Sequence, residues 1–243
     1  MWFIINSPVA PAYSNSNFNS SKVTEAVYGE SLKIIDENED WFLLKQDDNY
    51  ISWINKFYGI KSNNRFEFNA IITNSLTLPF GSRVLKTKDK IITSNGLELV
   101  NDNTHSFNSI PFVFDSSQCK SICLKLLGST YRWGGKTSFG FDCSGLIQSV
   151  LYSMGINLDR DAKDQYEITK NFKVKISKSN IGDLHFFGTK NKINHVGFSM
   201  GGYSIIHAQG VVKYESLNKD DINFNENLSS IYISTNSIKS FLK

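Results

Sequence analysis

Residues 142–152 read Asp142-Cys143-Ser144-Gly145-Leu146-Ile147-Gln148-Ser149-Val150-Leu151-Tyr152. Asp is a favoured residue at a helix start, and the apolar positions behind it recur at helical spacing, so a helix is predicted to begin at Cys143. The first turn of a helix has unpaired backbone N–H groups and the positive end of the helix dipole, and both favour a thiolate over a thiol. A cysteine placed there is expected to be activated. A buried cysteine used as a small hydrophobe is the plainer alternative, but Asp142, Ser144 and Gly145 are an odd setting for a core residue.

Upstream of this helix lies a Gly-rich turn, Trp133-Gly134-Gly135. Before that comes a second helical pattern after Asp115, with Ile122, Cys123, Leu126 and Leu127 on its apolar face. Downstream, residues 182–187, 194–200, 203–208, 211–215 and 230–234 are strand-like. Helices followed by an antiparallel sheet make an α+β domain. The chain before Phe114 is different: short strand-like runs at 23–27, 31–35, 41–45, 50–54, 66–72, 84–87 and 97–100 are broken by polar turns. Strands this short and closely spaced predict small barrels, and the length holds two of them, dividing near residues 58–64.

A thiolate nucleophile needs an imidazole within hydrogen-bond reach and a third group to hold that ring. His195 and His207 flank Gly201-Gly202 and can supply both from adjacent strands of one hairpin. Because 195 and 207 are symmetric about Gly201, they share a face only if the loop holds an odd number of residues or carries a bulge. The rival is a zinc site built from Cys143, His195 and His207, all good zinc ligands, although paired CxxC or HxxxH spacing is missing. His105 and His185 are expected to be structural or surface residues.

Composition bounds the rest. The 243 residues are 40% hydrophobic and 20% charged, as in ordinary globular proteins. Twenty-six Lys and Arg against 23 Asp and Glu give +3. No block of like charge occurs, which argues against a nucleic-acid or anionic-membrane surface and leaves peptides or small ligands. No apolar run approaches the roughly 20 residues of a membrane helix. The start Met1-Trp2-Phe3-Ile4-Ile5-Asn6 lacks the features of an export signal, so a cytoplasmic location is expected. Three cysteines, Cys119, Cys123 and Cys143, are a poor basis for a disulfide framework. Cys119 and Cys123, four apart in the first helix, read as structural.

Six stretches carry a resemblance: Tyr131-Arg-Trp-Gly-Gly, Gly140-Phe-Asp-Cys-Ser-Gly-Leu-Ile-Gln148, Arg160-Asp-Ala-Lys-Asp-Gln165, Gly182-Asp-Leu-His-Phe-Phe187, His195-Val-Gly-Phe and Ile206-His-Ala208. In this order they resemble the NlpC/P60 cysteine peptidases. The resemblance implies a papain-like α+β catalytic domain, with Cys143 as nucleophile, His195 as general base, His207 as the residue that orients it, and Tyr131 beside the oxyanion or the substrate. It implies no cofactor and no metal. Ser31-Leu-Lys-Ile-Ile, Asp40-Trp41, Tyr50-Ile-Ser-Trp53 and Leu78-Pro-Phe-Gly81 resemble the bacterial SH3-like domains that precede such a domain in enzymes releasing L-Ala-γ-D-Glu dipeptides from murein peptides. The organisation expected is a first SH3-like β-barrel over 1–58, a shorter second one over 59–114, and the peptidase domain over 115–243. Asp142 and Asp161 match acidic positions that hold the substrate's amine, and Ser144 is expected beside them. Ala162 departs from the family, which often has Ser there. An N-acetylmuramoyl-L-alanine amidase, an endopeptidase of intact wall and a non-catalytic wall-binding protein are the competing readings.

Overall fold

A computed structural model describes residues 1–189 and 192–242. The chain divides into two compact units, one of Met1–Phe112 with Trp133–Phe139 and the other of Val113–Arg132 with Gly140–Lys243. Trp133–Phe139, expected in the third domain, therefore belongs to the first unit. The reason is local: Lys136 is buried there, its backbone N–H donating to Glu25 Oε1 at 2.8 Å and its Nζ lying 3.4 Å from Glu30 Oε1.

The first unit is built from antiparallel sheets. Among the described residues one sheet runs in the order Lys22–Val27, Val9–Tyr13, Ile51–Asn55, Trp41–Lys45, Ser31–Asn38, Trp2–Ile5 and Gly59–Ser62. Alternate side chains turn inward, and Phe3, Ile5, Ala10, Ala12, Leu32, Phe42, Leu44 and Ile54 form its core. A second sheet runs Glu98–Val100, Lys90–Ile92, Arg83–Lys86, Ala70–Asn74 and Ser106–Ser109 over a core of Ala70, Ile72, Leu78, Val84 and Ile91. Two small β modules of this kind are what the SH3-like resemblance implies.

The second unit is the α+β domain. Helix α1 (Ser116–Lys125) is capped by Asp115, which accepts from the Gln118 N–H at 2.6 Å, and it buries Cys119, Ile122 and Cys123. Helix α2 (Cys143–Tyr152) is buried from Cys143 through Leu151. Helices α3 (Ala162–Thr169) and α4 (Glu226–Ser230) are shorter. Among the described residues the sheet is six-stranded and antiparallel, in the order Lys173–Val174, Tyr232–Asn236, Leu184–Thr189, Lys192–Ser199, Ser204–Gln209 and Val211–Ser216. No helix among the described residues is long and apolar enough to cross a membrane.

His185 sits in the middle of this sheet, fully buried, with Nδ1 2.8 Å from Thr235 Oγ1. Burial pushes its imidazole down to about 4. Below about pH 6.5 the unfolded chain protonates this ring, while the folded chain refuses the proton until about pH 4. Stability therefore falls with falling pH across that window, by about 3 kcal/mol from this residue alone. Thermal melts of wild type and His185→Gln between pH 7 and 4 are expected to show a shallower acid loss in the variant. Parallel curves would remove the assignment.

Candidate active site

Asp142 forms the start of α2. Its backbone is extended and its Oδ1 accepts from the Gly145 N–H at 2.7 Å, which satisfies one orphan donor of the first turn. The same carboxylate meets Arg160 in a bidentate pair, Nη1 to Oδ1 at 3.0 Å and Nη2 to Oδ2 at 2.6 Å, and Arg160 Nη1 also donates to Ser144 Oγ at 3.0 Å. Asp142, Ser144 and Arg160 are all buried. Asp142 was expected to hold a substrate amine. In the structure its two oxygens meet the Arg160 guanidinium and the start of α2.

Cys143 is the first helical residue, 9% exposed. Backbone N–H groups of Val196 and Ser144 point at its sulfur, so the cysteine lies against the strand position next to His195. These donors and Arg160 favour the thiolate, but burial and, after it, the Asp142 charge win and push the thiol up to about 11. The helix N-terminus alone predicts an activated thiolate. In the folded protein the carboxylate that caps the helix cancels part of that benefit, and the resting cysteine is a thiol.

The two histidines converge. The hairpin pairs Phe198 with Ile206 and Ser199 with Ile205, and the Met200 N–H donates to the Ser204 carbonyl. That leaves Gly201, Gly202 and Tyr203 as a turn with an odd residue count, and both glycines adopt positive φ. His195 and His207 accordingly share a face, with His195 Nε2 2.8 Å from His207 Nδ1. Because these nitrogens are spent on each other, the pair is not arranged to chelate a zinc ion with Cys143. His207 Nε2 in turn lies 2.7 Å from Glu215 Oε2, which also accepts from Asn225 Nδ2 at 2.8 Å. Burial holds both imidazoles below their ordinary range, His195 down to about 3, so the His207–Glu215 contact is a neutral N–H to a carboxylate.

Tyr131 is half-buried near the cysteine. Burial, then the charges of Cys143 and Asp142, push its phenol up to about 12, so it remains a hydrogen-bond donor. Asp161 occupies the N-cap position of α3, makes no side-chain cap bond and is exposed. Ala162 is buried behind it. Sequence reasoning missed the roles of Arg160 and Glu215. Arg160 lies in a recognisable motif, but its partner is eighteen positions away; Glu215 alternates with Lys213 on a strand that reads as an ordinary half-exposed edge.

Residues 128–225 match the family model described as the NlpC/P60 family. The gamma-D-glutamyl-L-lysine dipeptidyl-peptidase of Bacillus subtilis (strain 168) is 41% identical over 85 residues, covering 34% of this chain and 28% of that protein. The protein of the same name from Bacillus cereus (strain ATCC 10987) is 27% identical over 232 residues, covering 78% of this chain and 68% of its own length. The crystal structure of an NlpC/P60 family protein from Bacillus cereus ATCC 10987 superposes over 100% of both chains with a TM-score of 0.82 at 17% identity, which shows a common fold. The chain spans less than a third of the Bacillus subtilis relative. Over residues 128–225, the stretch that holds Cys143, His195 and His207, the chain matches the NlpC/P60 family, which is of the cysteine peptidase type.

Proposed function

We propose that the chain hydrolyses murein peptides at the bond between γ-D-glutamate and a diamino acid, with Cys143 as nucleophile and His195 as base. The observation that supports this is the 2.8 Å contact of His195 Nε2 with His207 Nδ1, on a strand whose next residue, Val196, turns its backbone N–H to the Cys143 sulfur. A thiol near 11 is ionised to only about one part in ten thousand at pH 7, so a resting thiolate–imidazolium pair does not supply the nucleophile. Instead, the Sγ–H proton passes to the neutral His195 ring as sulfur attacks the carbonyl carbon. The oxyanion rests on backbone N–H groups at the start of α2, with the Tyr131 phenol as a further donor. His195 then returns the proton to the leaving amine, a thioester remains on Cys143, and water, deprotonated by His195, cleaves it.

The names of the relatives, gamma-D-glutamyl-L-lysine dipeptidyl-peptidases, support this choice of bond. The side chains suggest the end recognised: Asp142 is paired with Arg160, exposed Asp161 stands at the start of α3 as a carboxylate that a cationic L-Ala amine could approach, and Ser144, beside Cys143, lies at the start of α2. The test is the ratio of kcat/KM for L-Ala-γ-D-Glu-diaminopimelate against its N-acetylated form, with products identified by mass spectrometry. A preference for the free amine is expected, because only the cationic form pairs with a carboxylate while the acetylated form carries no charge. Asp161→Asn should narrow the ratio and Asp142→Asn should not. A ratio near one would favour cleavage of intact wall, and release of muramic acid-linked fragments would favour an amidase.

A further inference from the structure

We propose that Glu215 is a positioning residue that, through His207, determines which ring nitrogen of His195 is left to take the Cys143 proton. The chemical consequence rests on the function proposed above; the proton arrangement does not. The strand Val211–Ser216 pairs with Ser204–Gln209 so that Lys213 lies opposite His207 and Glu215 opposite Ile205. Residues 207, 213 and 215 therefore share a face, and Glu215 reaches His207 along the diagonal.

An ionised carboxylate can only accept hydrogen bonds. Partial burial raises the Glu215 carboxyl, but hydrogen bonds from His207, Asn225 and Lys213 outweigh it and hold the group ionised. His207 Nε2, 2.7 Å from Glu215 Oε2, must then carry the hydrogen. A neutral imidazole has one N–H, so His207 Nδ1 is left with a lone pair and accepts across the 2.8 Å contact with His195 Nε2. His195 donates there and keeps its own lone pair on Nδ1. The hydrogen bonds run in one direction, His195 to His207 to Glu215, so the Glu215 carboxylate fixes, through His207, which nitrogen of His195 is the base.

Without the carboxylate the chain can run backwards. His207 could carry its hydrogen on Nδ1 and donate to His195 Nε2, which would place the His195 hydrogen on Nδ1 and leave no base. Among the described residues the charged groups acting on this pair are Glu215 and Lys213; Lys213 Nζ is 3.1 Å from Glu215 Oε1 and cannot accept from an imidazole. Asn225, at the N-cap of α4, holds the carboxylate from its other side at 2.8 Å. A role limited to balancing Lys213 would leave the imidazole hydrogens indifferent to this residue.

The experiment is ¹⁵N-edited NMR of the imidazoles of the full chain, with signals assigned from His195→Gln and His207→Gln, alongside kcat/KM pH profiles. Wild type should show both His195 and His207 as Nε2–H tautomers. Glu215→Leu should leave a mixture at both rings and lower kcat tenfold or more at unchanged KM. Glu215→Gln, whose amide oxygen still accepts but whose nitrogen can donate, should fall between, and its near-identical shape keeps the test alive if the Leu variant does not fold. An Nδ1–H tautomer at His207 in wild type, or unaltered tautomers in Glu215→Gln, would overturn the proposal. If the wild type cleaves none of the peptides while its tautomers are as stated, the assigned reaction fails and the role of Glu215 in ordering the two rings stands.

Discussion

Cys143→Ala is expected to abolish hydrolysis, on the order of 10⁴-fold or more, with the melting temperature close to that of wild type. The two readouts should separate because, in the proposed reaction, the sulfur supplies the chemistry and little of the structure. The cap of α2 comes from Asp142 Oδ1, and the ion pair beneath it from Arg160, so neither depends on the thiol. Losing one buried sulfur costs about 1 kcal/mol. Alkylation by iodoacetamide gives an independent check: Cys119 and Cys123 are fully buried, so a single thiol should react. Its rate should climb with pH towards about 11 and show no plateau near neutrality, since burial opposes the thiolate. Residual hydrolysis by Cys143→Ala would require another nucleophile, and a rate plateau below pH 7 would mean that the resting cysteine is already ionised.

The catalytic half of the fold was legible because its signals are local. An Asp followed by apolar residues at helical spacing marks α2, and the parity of 195 and 207 about a Gly-rich turn dictates an odd loop, as found. The edges of the first unit were harder. Val9-Ala-Pro-Ala-Tyr13 contains a proline, which argues against a strand, yet Val9–Tyr13 pairs with Lys22–Val27. The proline is tolerated because this strand meets its other neighbour, Ile51–Asn55, at Tyr13 alone. The direction of the cysteine's shift was misread for a related reason: a sequence displays the helix start but not the burial around it. The fates of Asp142 and Glu215 depend on partners 18 and 8 positions away, supplied by the tertiary fold, and no periodicity reports them.

The buried Asp142–Arg160 pair carries the second large effect. Arg160→Met is expected to cost about 3–5 kcal/mol, because it leaves the Asp142 carboxylate in a desolvated site without its bidentate guanidinium. For a protein of this size that is a fall of roughly 10 °C or more in melting temperature. Asp142→Asn leaves the converse problem, a buried guanidinium facing an amide, although the amide oxygen can still cap α2. The double variant removes both charges and should be more stable than the sum of the single losses predicts, with a coupling of 0.5–3 kcal/mol in the double-mutant cycle. The same substitutions move the thiol in opposite senses: the Asp142 charge raises Cys143 and Arg160 lowers it, so Asp142→Asn should accelerate alkylation at a given pH and Arg160→Met should slow it. Additive melting losses, or alkylation rates that shift together, would mean that the pair is neither the clamp on the start of α2 nor the local field acting on its first residue.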